Sequence, residues 1–287
     1  MRALSSLKLI EDPDMFQVLR FALTICLITL PATARADLVD RYFEALQMPE
    51  VFSILRKEGI SAGEDLTQFG GDISASPAWS ARLAGIYSMD EMRAEFRSQL
   101  TAVDDLEASI PAIEFFETEL GRRIVNIELA ARRAMADDEI MAALREQVSQ
   151  MEDDGEARLD LYAEFIRINE LVDSNVSGAL NSNLAFYRGM ATSEQFSDTL
   201  SESYMLTTVW GQEPEIREET ESWTMNFSTL AYAELSDAEM QQYIDVSASE
   251  AGQKLNAALF AGFDKVFETQ SFDLGRATAE FSIGEDT

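Results

Sequence analysis

Four arginines form the one basic cluster in an otherwise acidic chain. They are Arg122, Arg123, Arg132 and Arg133, and they fall within one predicted amphipathic helix. On a helix, Arg122 and Arg133 share one azimuth and lie mostly opposite the apolar stripe, with the other two on either side. Guanidinium groups bind carboxylates and phosphates through paired hydrogen bonds. The cluster predicts a binding surface for an anionic ligand or an acidic partner protein. The alternative is pairing with acidic helices of the same chain.

Side chains of the common catalytic types are scarce in this sequence. The 287 residues include no histidine and a single cysteine, Cys26. The absence of histidine excludes Ser-His-Asp and Cys-His catalysis and imidazole metal ligands. Carboxylates alone can hydrolyse glycosides when two of them lie about 5–9.5 Å apart in a cleft. The 52 Asp and Glu residues satisfy any such spacing by chance, so no pair of them can be assigned as catalytic. The sequence predicts no catalytic residue, no metal site and no cofactor.

The charge balance restricts the class of partner. The formal net charge is −30, with 22 Lys and Arg residues. Such a chain repels nucleic acid phosphates and anionic lipids, which proteins normally bind through Lys and Arg. Apolar residues nevertheless make up 46% of the chain, as in ordinary globular proteins and unlike disordered acidic tails. We therefore expect a folded protein that does not bind nucleic acid.

Two glycines occupy equivalent places in two similar motifs. Gly121 lies in ELGRRI at residues 119–124, and Gly252 lies in EAGQKL at residues 250–255. Glycine accepts a positive φ and can join two helices in a tight corner. We interpret both glycines as structural hinges; the alternative is an anion site at the helix that follows. The paired motifs also predict an internal duplication.

The remaining sequence predicts an all-α fold of two related antiparallel helical bundles. Apolar residues recur at helical spacing, and there are only six prolines and 14 glycines. The spacings Ser88-x-x-Glu91 and Ser236-x-x-Glu239 are typical of capping boxes at helix starts. We expect one helical repeat at residues 37–152 and a second at 156–270. Residues 59–78 and the tail at 271–287 are expected to be irregular.

The second motif resembles a known bacterial family. The sequence LSDAEM at residues 235–240, followed by SEAGQKL at 249–255, is similar to the exported helical domains called domain of unknown function 2059. The resemblance covers roughly residues 200–268, and the copy in the first half is a weaker match. The chain departs from the family at Val246-Ser247, where aromatics are usual; Phe115-Phe116 supply them in the first half. The resemblance implies a helical exported domain with no assigned activity.

The N-terminal region has the parts of a secretory signal peptide. Residues 21–30 are mostly apolar, Arg20 precedes them, and a small-x-small motif ends at Ala36. Ten residues are too few to cross a bilayer core of about 30 Å as a helix. Because residues 1–14 contain acidic side chains, Met15 is a candidate for the true start. We expect residues 1–36 to be removed, which leaves no stable membrane span.

These observations lead to one functional expectation and two alternatives. The chain is expected to be a periplasmic, or alternatively secreted, binding or protein-interaction module without enzymatic activity. Its partner would be an envelope protein or an anionic ligand. The alternatives are a carboxylate-only glycan hydrolase or lyase of the cell envelope, and a structural envelope component.

Overall fold

The computed structural model describes residues 32–66 and 76–284, and these confirm the all-α class. No strand occurs within these ranges. The helices are α1 (Ala32–Ala45), α2 (Met48–Glu64), α3 (Pro77–Ile86), α4 (Met89–Ala102), a 3₁₀ turn (Leu106–Ser109), α5 (Ile110–Phe116), α6 (Glu119–Ala134), α7 (Asp138–Asp154), α8 (Arg158–Ile168), α9 (Leu171–Met190), α10 (Glu194–Ser197), α11 (Glu202–Gly211), α12 (Glu213–Ala231), α13 (Asp237–Ala248) and α14 (Glu250–Gly284).

The chain divides into a unit that ends at Leu38 and a second unit that begins at Val39. Of the first unit, the described part is the start of α1. The predicted export signal lies outside the described residues, except for its last positions within α1. None of the described helices combines the length and the apolar character needed to span a membrane.

The 35-residue helix α14 organises the second unit. It packs along α9 and also contacts α3, α4, α5 and α13. Its crossing with α9 is close because both helices carry a glycine there. A Cβ added at Gly189 or at Gly275 would lie 2.0 Å from a backbone carbonyl oxygen of the other helix. Helices from both predicted halves therefore pack on α14 within one unit, and the duplication into two bundles stays a prediction.

Two segments that we expected to be irregular are helical. Helix α14 continues to Gly284, so the prediction for residues 271–284 is wrong, and α2 extends to Glu64, so residues 59–64 were also assigned wrongly. The physical reason is a shared apolar cluster. Leu274, Ala277 and Phe281 follow helical spacing and pack against Trp79 and its neighbours. The rings of Phe281 and Trp79 lie 5.1 Å apart.

The two predicted capping boxes have different outcomes. At the start of α13, the Glu239 backbone N–H donates to Ser236 Oγ at 3.3 Å, and Ser236 N–H donates to Glu239 Oε2 at 2.9 Å. This capping box is confirmed. Helix α4 does begin after Ser88, but the Ser88 side chain makes no capping hydrogen bond.

Gly121 and Gly252 lie at equivalent helical corners, for a reason other than the one we expected. Each is the third residue of its helix, and neither has a positive φ. Their N–H groups donate to the hydroxyls of Thr118 and Ser249 at 3.1 and 3.0 Å. A Cβ at Gly121 or Gly252 would lie 2.2 or 2.1 Å from a carbonyl oxygen of the preceding helix. Glycine is required here because the backbones approach closely.

Candidate ligand-binding pocket

An apolar pocket of about 360 Å³ lies among the helices of the second unit. Residues of α2, α6, α8, α9, α12, α13 and α14 line it. Most of the lining side chains are aliphatic or aromatic, and the two charged ones are Glu128 and Arg132. We call this the Glu128 pocket. An apolar concavity with a few polar groups is the usual form of a small-molecule site.

Helix α6 carries both charged residues into the pocket. Its buried residues Ile124, Val125 and Leu129 recur at helical spacing. The acidic Glu119 in the first turn and arginines in the last turn complement the helix dipole. Glu128 lies on the same side as the buried stripe, half-buried and facing the pocket. The amphipathic character of α6 thus places a carboxyl group in apolar surroundings.

Two tyrosines hold the Glu128 carboxyl group. Tyr232, which follows α12, donates its hydroxyl to Glu128 Oε1 at 2.7 Å, and Tyr243 of α13 donates to the same oxygen at 3.0 Å. Within the described chain, Oε2 receives no hydrogen bond and no cation pairs with Glu128. The carboxyl group therefore has one saturated oxygen and one available acceptor.

Burial dominates the protonation of this cluster. It raises the pKa of Glu128 from its ordinary 4.5 to about 7, although the two tyrosine hydrogen bonds act in the opposite direction. Burial and the nearby Glu128 charge raise the pKa of Tyr232 and of Tyr243 well above 10. Both tyrosines therefore remain hydroxyl donors at neutral pH, whereas the Glu128 carboxyl group changes between its neutral and its ionised form around pH 7.

Aromatic rings surround the hydrogen-bonded carboxyl group. The Tyr232 and Tyr243 rings lie 5.9 Å apart, and Phe165 lies 5.3 and 4.8 Å from them. Phe227 lies 6.3 Å from Tyr232. Such edge and tilted contacts stabilise an aromatic cluster beyond its buried area. The rings pack around the two tyrosine donors and hold them in place.

Arg158 fixes the segment that carries Tyr232. Its guanidinium donates to the carbonyl oxygens of Tyr232 at 2.8 Å and Leu235 at 2.7 Å, and to the Tyr162 hydroxyl at 3.0 Å. It also pairs with Asp237, and its side chain is only 16% exposed. The start of α8 is thereby tied to the turn between α12 and α13, which positions Tyr232 over Glu128.

Arg132 is the member of the predicted basic cluster that reaches the pocket. Its Nε and terminal nitrogen donate to the two Glu58 carboxylate oxygens at 3.1 and 2.9 Å. Its guanidinium also lies 5.6 Å from the centre of the Trp223 ring. Because Glu58 already compensates its charge through this bidentate pair, Arg132 lines the pocket as an ion-paired side chain.

The other arginines of the cluster point to different neighbours. Arg123 pairs with Glu239 and Arg133 with Glu50, each at 2.5 Å, and Arg122 donates to the backbone oxygen of Glu117. The alternative of pairing within the chain is thus observed for Arg123, Arg132 and Arg133. The structure does not gather the four guanidinium groups at one site, and an anion- or partner-binding surface formed by them stays a prediction.

Sequence reasoning missed the three central residues of the pocket. Tyr232 and Tyr243 lie 104 and 115 positions from Glu128, so no local spacing connects them. Glu128 is also one of 52 acidic residues. One signal was present: Glu128 follows Ile124 and Val125 by four and three positions, which puts a carboxylate on a buried helix face.

No family model, curated protein or solved structure matches this chain.

Proposed function

We propose that this protein is an exported, non-enzymatic binding protein of the periplasm that holds a small apolar ligand in the Glu128 pocket. We further propose that it is related to the helical domains of unknown function 2059, through residues 235–255. The observation that carries the binding proposal is an apolar pocket of about 360 Å³ with a single hydrogen-bonded carboxyl group in its wall.

The composition of the wall favours an apolar ligand. Aliphatic lining comes from α2, α6 and α14, and aromatic lining comes from α8, α12 and α14. Transfer of an apolar surface from water into such a site releases about 25 cal/mol for each Å² that is buried. A ligand that fills the pocket gains most of its affinity from this contact, and polar groups set its orientation.

The same wall favours binding over the alternative of glycan cleavage. Hydrolysis by carboxylates requires two of them across the scissile bond. Among the pocket-lining residues that the structure describes, Glu128 is the one carboxylate. No observation favours the alternative of a structural envelope component.

The binding proposal is tested by calorimetry with 4-phenylbutanol, a neutral probe with an apolar body. We expect the wild-type protein to bind it and the Leu259→Trp variant to bind at least tenfold more weakly, because the larger ring occupies the pocket. Ala261→Trp is the matched control, since Ala261 is exposed on the same helix. Equal binding to both variants, or no binding of any probe with this apolar body to the wild-type protein, refutes the proposal.

Export is tested separately. When the full chain is produced in a Gram-negative host, we expect the protein in the periplasmic fraction, with Asp37 as its first residue. An intact N-terminus in the cytoplasmic fraction contradicts export and leaves the binding proposal unaffected.

A further inference from the structure

The Glu128 pocket contains a negatively charged group that is not balanced by a positive one. Glu128 and Arg132 are its two charged lining residues, and Arg132 is neutralised by its two hydrogen bonds to Glu58. No ion pair to Glu128 occurs in the described part of the chain. A carboxylate in apolar surroundings without a counter-ion is unfavourable, and its ionised form gains from a cation. The pocket therefore has an unmet preference for positive charge.

The hydrogen-bonding pattern specifies what kind of group meets that preference. Both tyrosine hydroxyls donate to Oε1 of Glu128, so Oε2 remains as an acceptor. An ammonium group has three N–H donors and no acceptor, which matches a site that offers an acceptor. The faces of Tyr232, Tyr243 and Phe165 also attract cations through their ring quadrupoles. A carboxylate ligand would instead meet the like charge of Glu128.

We propose that the Glu128 pocket selects an organic monocation, namely a primary amine attached to an apolar body. This inference rests on the proposed function and names the ligand class. The ammonium group donates to Oε2 of Glu128 and lies against the aromatic rings, while the apolar body contacts the aliphatic wall of α2 and α14. At roughly 30 Å³ for a group the size of water, the pocket volume corresponds to about a dozen non-hydrogen atoms.

The selectivity depends on pH in a defined direction. The charged or titratable lining groups are Arg132 on the same helix, Tyr232 after α12 and Tyr243 on α13; the lining residues of α2, α8, α9 and α14 are uncharged. With a Glu128 pKa of about 7, the ionised fraction is about 0.03 at pH 5.5 and about 0.9 at pH 8. An alkylamine remains protonated across this range. Amine affinity therefore rises up to about 30-fold from pH 5.5 to pH 8.

The experiment is calorimetry with three probes that share one apolar body: 4-phenylbutylamine, 4-phenylbutanol and 4-phenylbutyrate. They are titrated into the wild-type protein and into Glu128→Gln at both pH values. Glu146→Gln is the control because Glu146 is exposed on α7, outside the pocket. At pH 8 we expect the amine to bind the wild-type protein and E146Q at least tenfold more tightly than the alcohol. E128Q and low pH remove this preference.

The outcomes separate the inference from the proposed function. Equal affinities for the amine and the alcohol at pH 8, or a preference for the carboxylate, overturn the amine class and leave the pocket as a binding site. No binding by any of the three probes overturns both. If E128Q does not fold, the pH series on the wild-type protein supplies the same test: an amine preference unchanged between pH 5.5 and pH 8 overturns the role of Glu128.

Discussion

Replacement of Glu128 by glutamine should stabilise this protein at alkaline pH and have little effect in acid. Glutamine keeps an oxygen that accepts both tyrosine hydrogen bonds but carries no charge at any pH. In the native protein, burial raises the Glu128 pKa from 4.5 to about 7. At 1.4 kcal/mol for each tenfold change in proton affinity, this corresponds to about 3 kcal/mol.

The direction of this stability change follows from proton linkage. Between pH 4.5 and pH 7 the folded state binds the Glu128 proton more tightly than the unfolded state does. The contribution of Glu128 to stability is therefore fully present below about pH 4.5 and is lost as the pH rises through 7. The ionised carboxylate is the unfavourable form in the fold, and E128Q avoids it. We expect E128Q to gain up to about 3 kcal/mol relative to the wild-type protein between pH 4 and pH 8.5.

Urea unfolding of the wild-type protein, E128Q and E146Q at pH 4 and pH 8.5 measures this change. The comparison between variants cancels the titration of the many other acidic residues, and E146Q shows the effect of removing one exposed charge. A difference between E128Q and the wild-type protein that is the same at both pH values refutes the reasoning. So does a wild-type protein that is more stable than E128Q at pH 8.5.

Three further predictions concern the packing and the ion pairs. Gly252→Ala should destabilise the protein by about 1–3 kcal/mol, because its Cβ would meet a backbone carbonyl oxygen 2.1 Å away; Gly85→Ala, with open space around it, should not. Equal urea midpoints for the two variants contradict the close approach. Arg158→Ala should cost about 2–4 kcal/mol through its lost hydrogen bonds, whereas exposed Arg145→Ala should stay within about 0.5 kcal/mol; thermal unfolding distinguishes these results. The hydrogen bonds from Ser236 and Arg123 lower the pKa of Glu239 to about 2. The advantage of the wild-type protein over Glu239→Gln should therefore be present above about pH 4.5 and disappear as the pH falls towards 2; an advantage that persists at pH 2 excludes this assignment.

The fold class was predictable because helices are specified locally. Apolar spacing and the Ser236 capping box depend on residues within a few positions of each other, and both were identified correctly. The tail was assigned wrongly because its apolar residues are separated by polar ones. Its helix is stabilised by contacts with Trp79 and its neighbours, which are distant in the sequence. The corner at Gly252 was partly predictable. Its position was recognised from the sequence motif, but the close approach of the two helix backbones that requires glycine was visible only in the tertiary structure.

Local sequence was sufficient to specify an all-helical, acidic chain without histidine and to locate the two tight corners at Gly121 and Gly252. It could not specify which carboxylate lies in an apolar pocket, because burial is a property of the packed chain. Only the tertiary structure places Tyr232 and Tyr243, from 104 and 115 positions away, against Glu128. Only the fold places this half-buried carboxyl group in apolar surroundings, where no described residue supplies a counter-ion. Desolvation by distant neighbours raises the pKa of Glu128 to about 7.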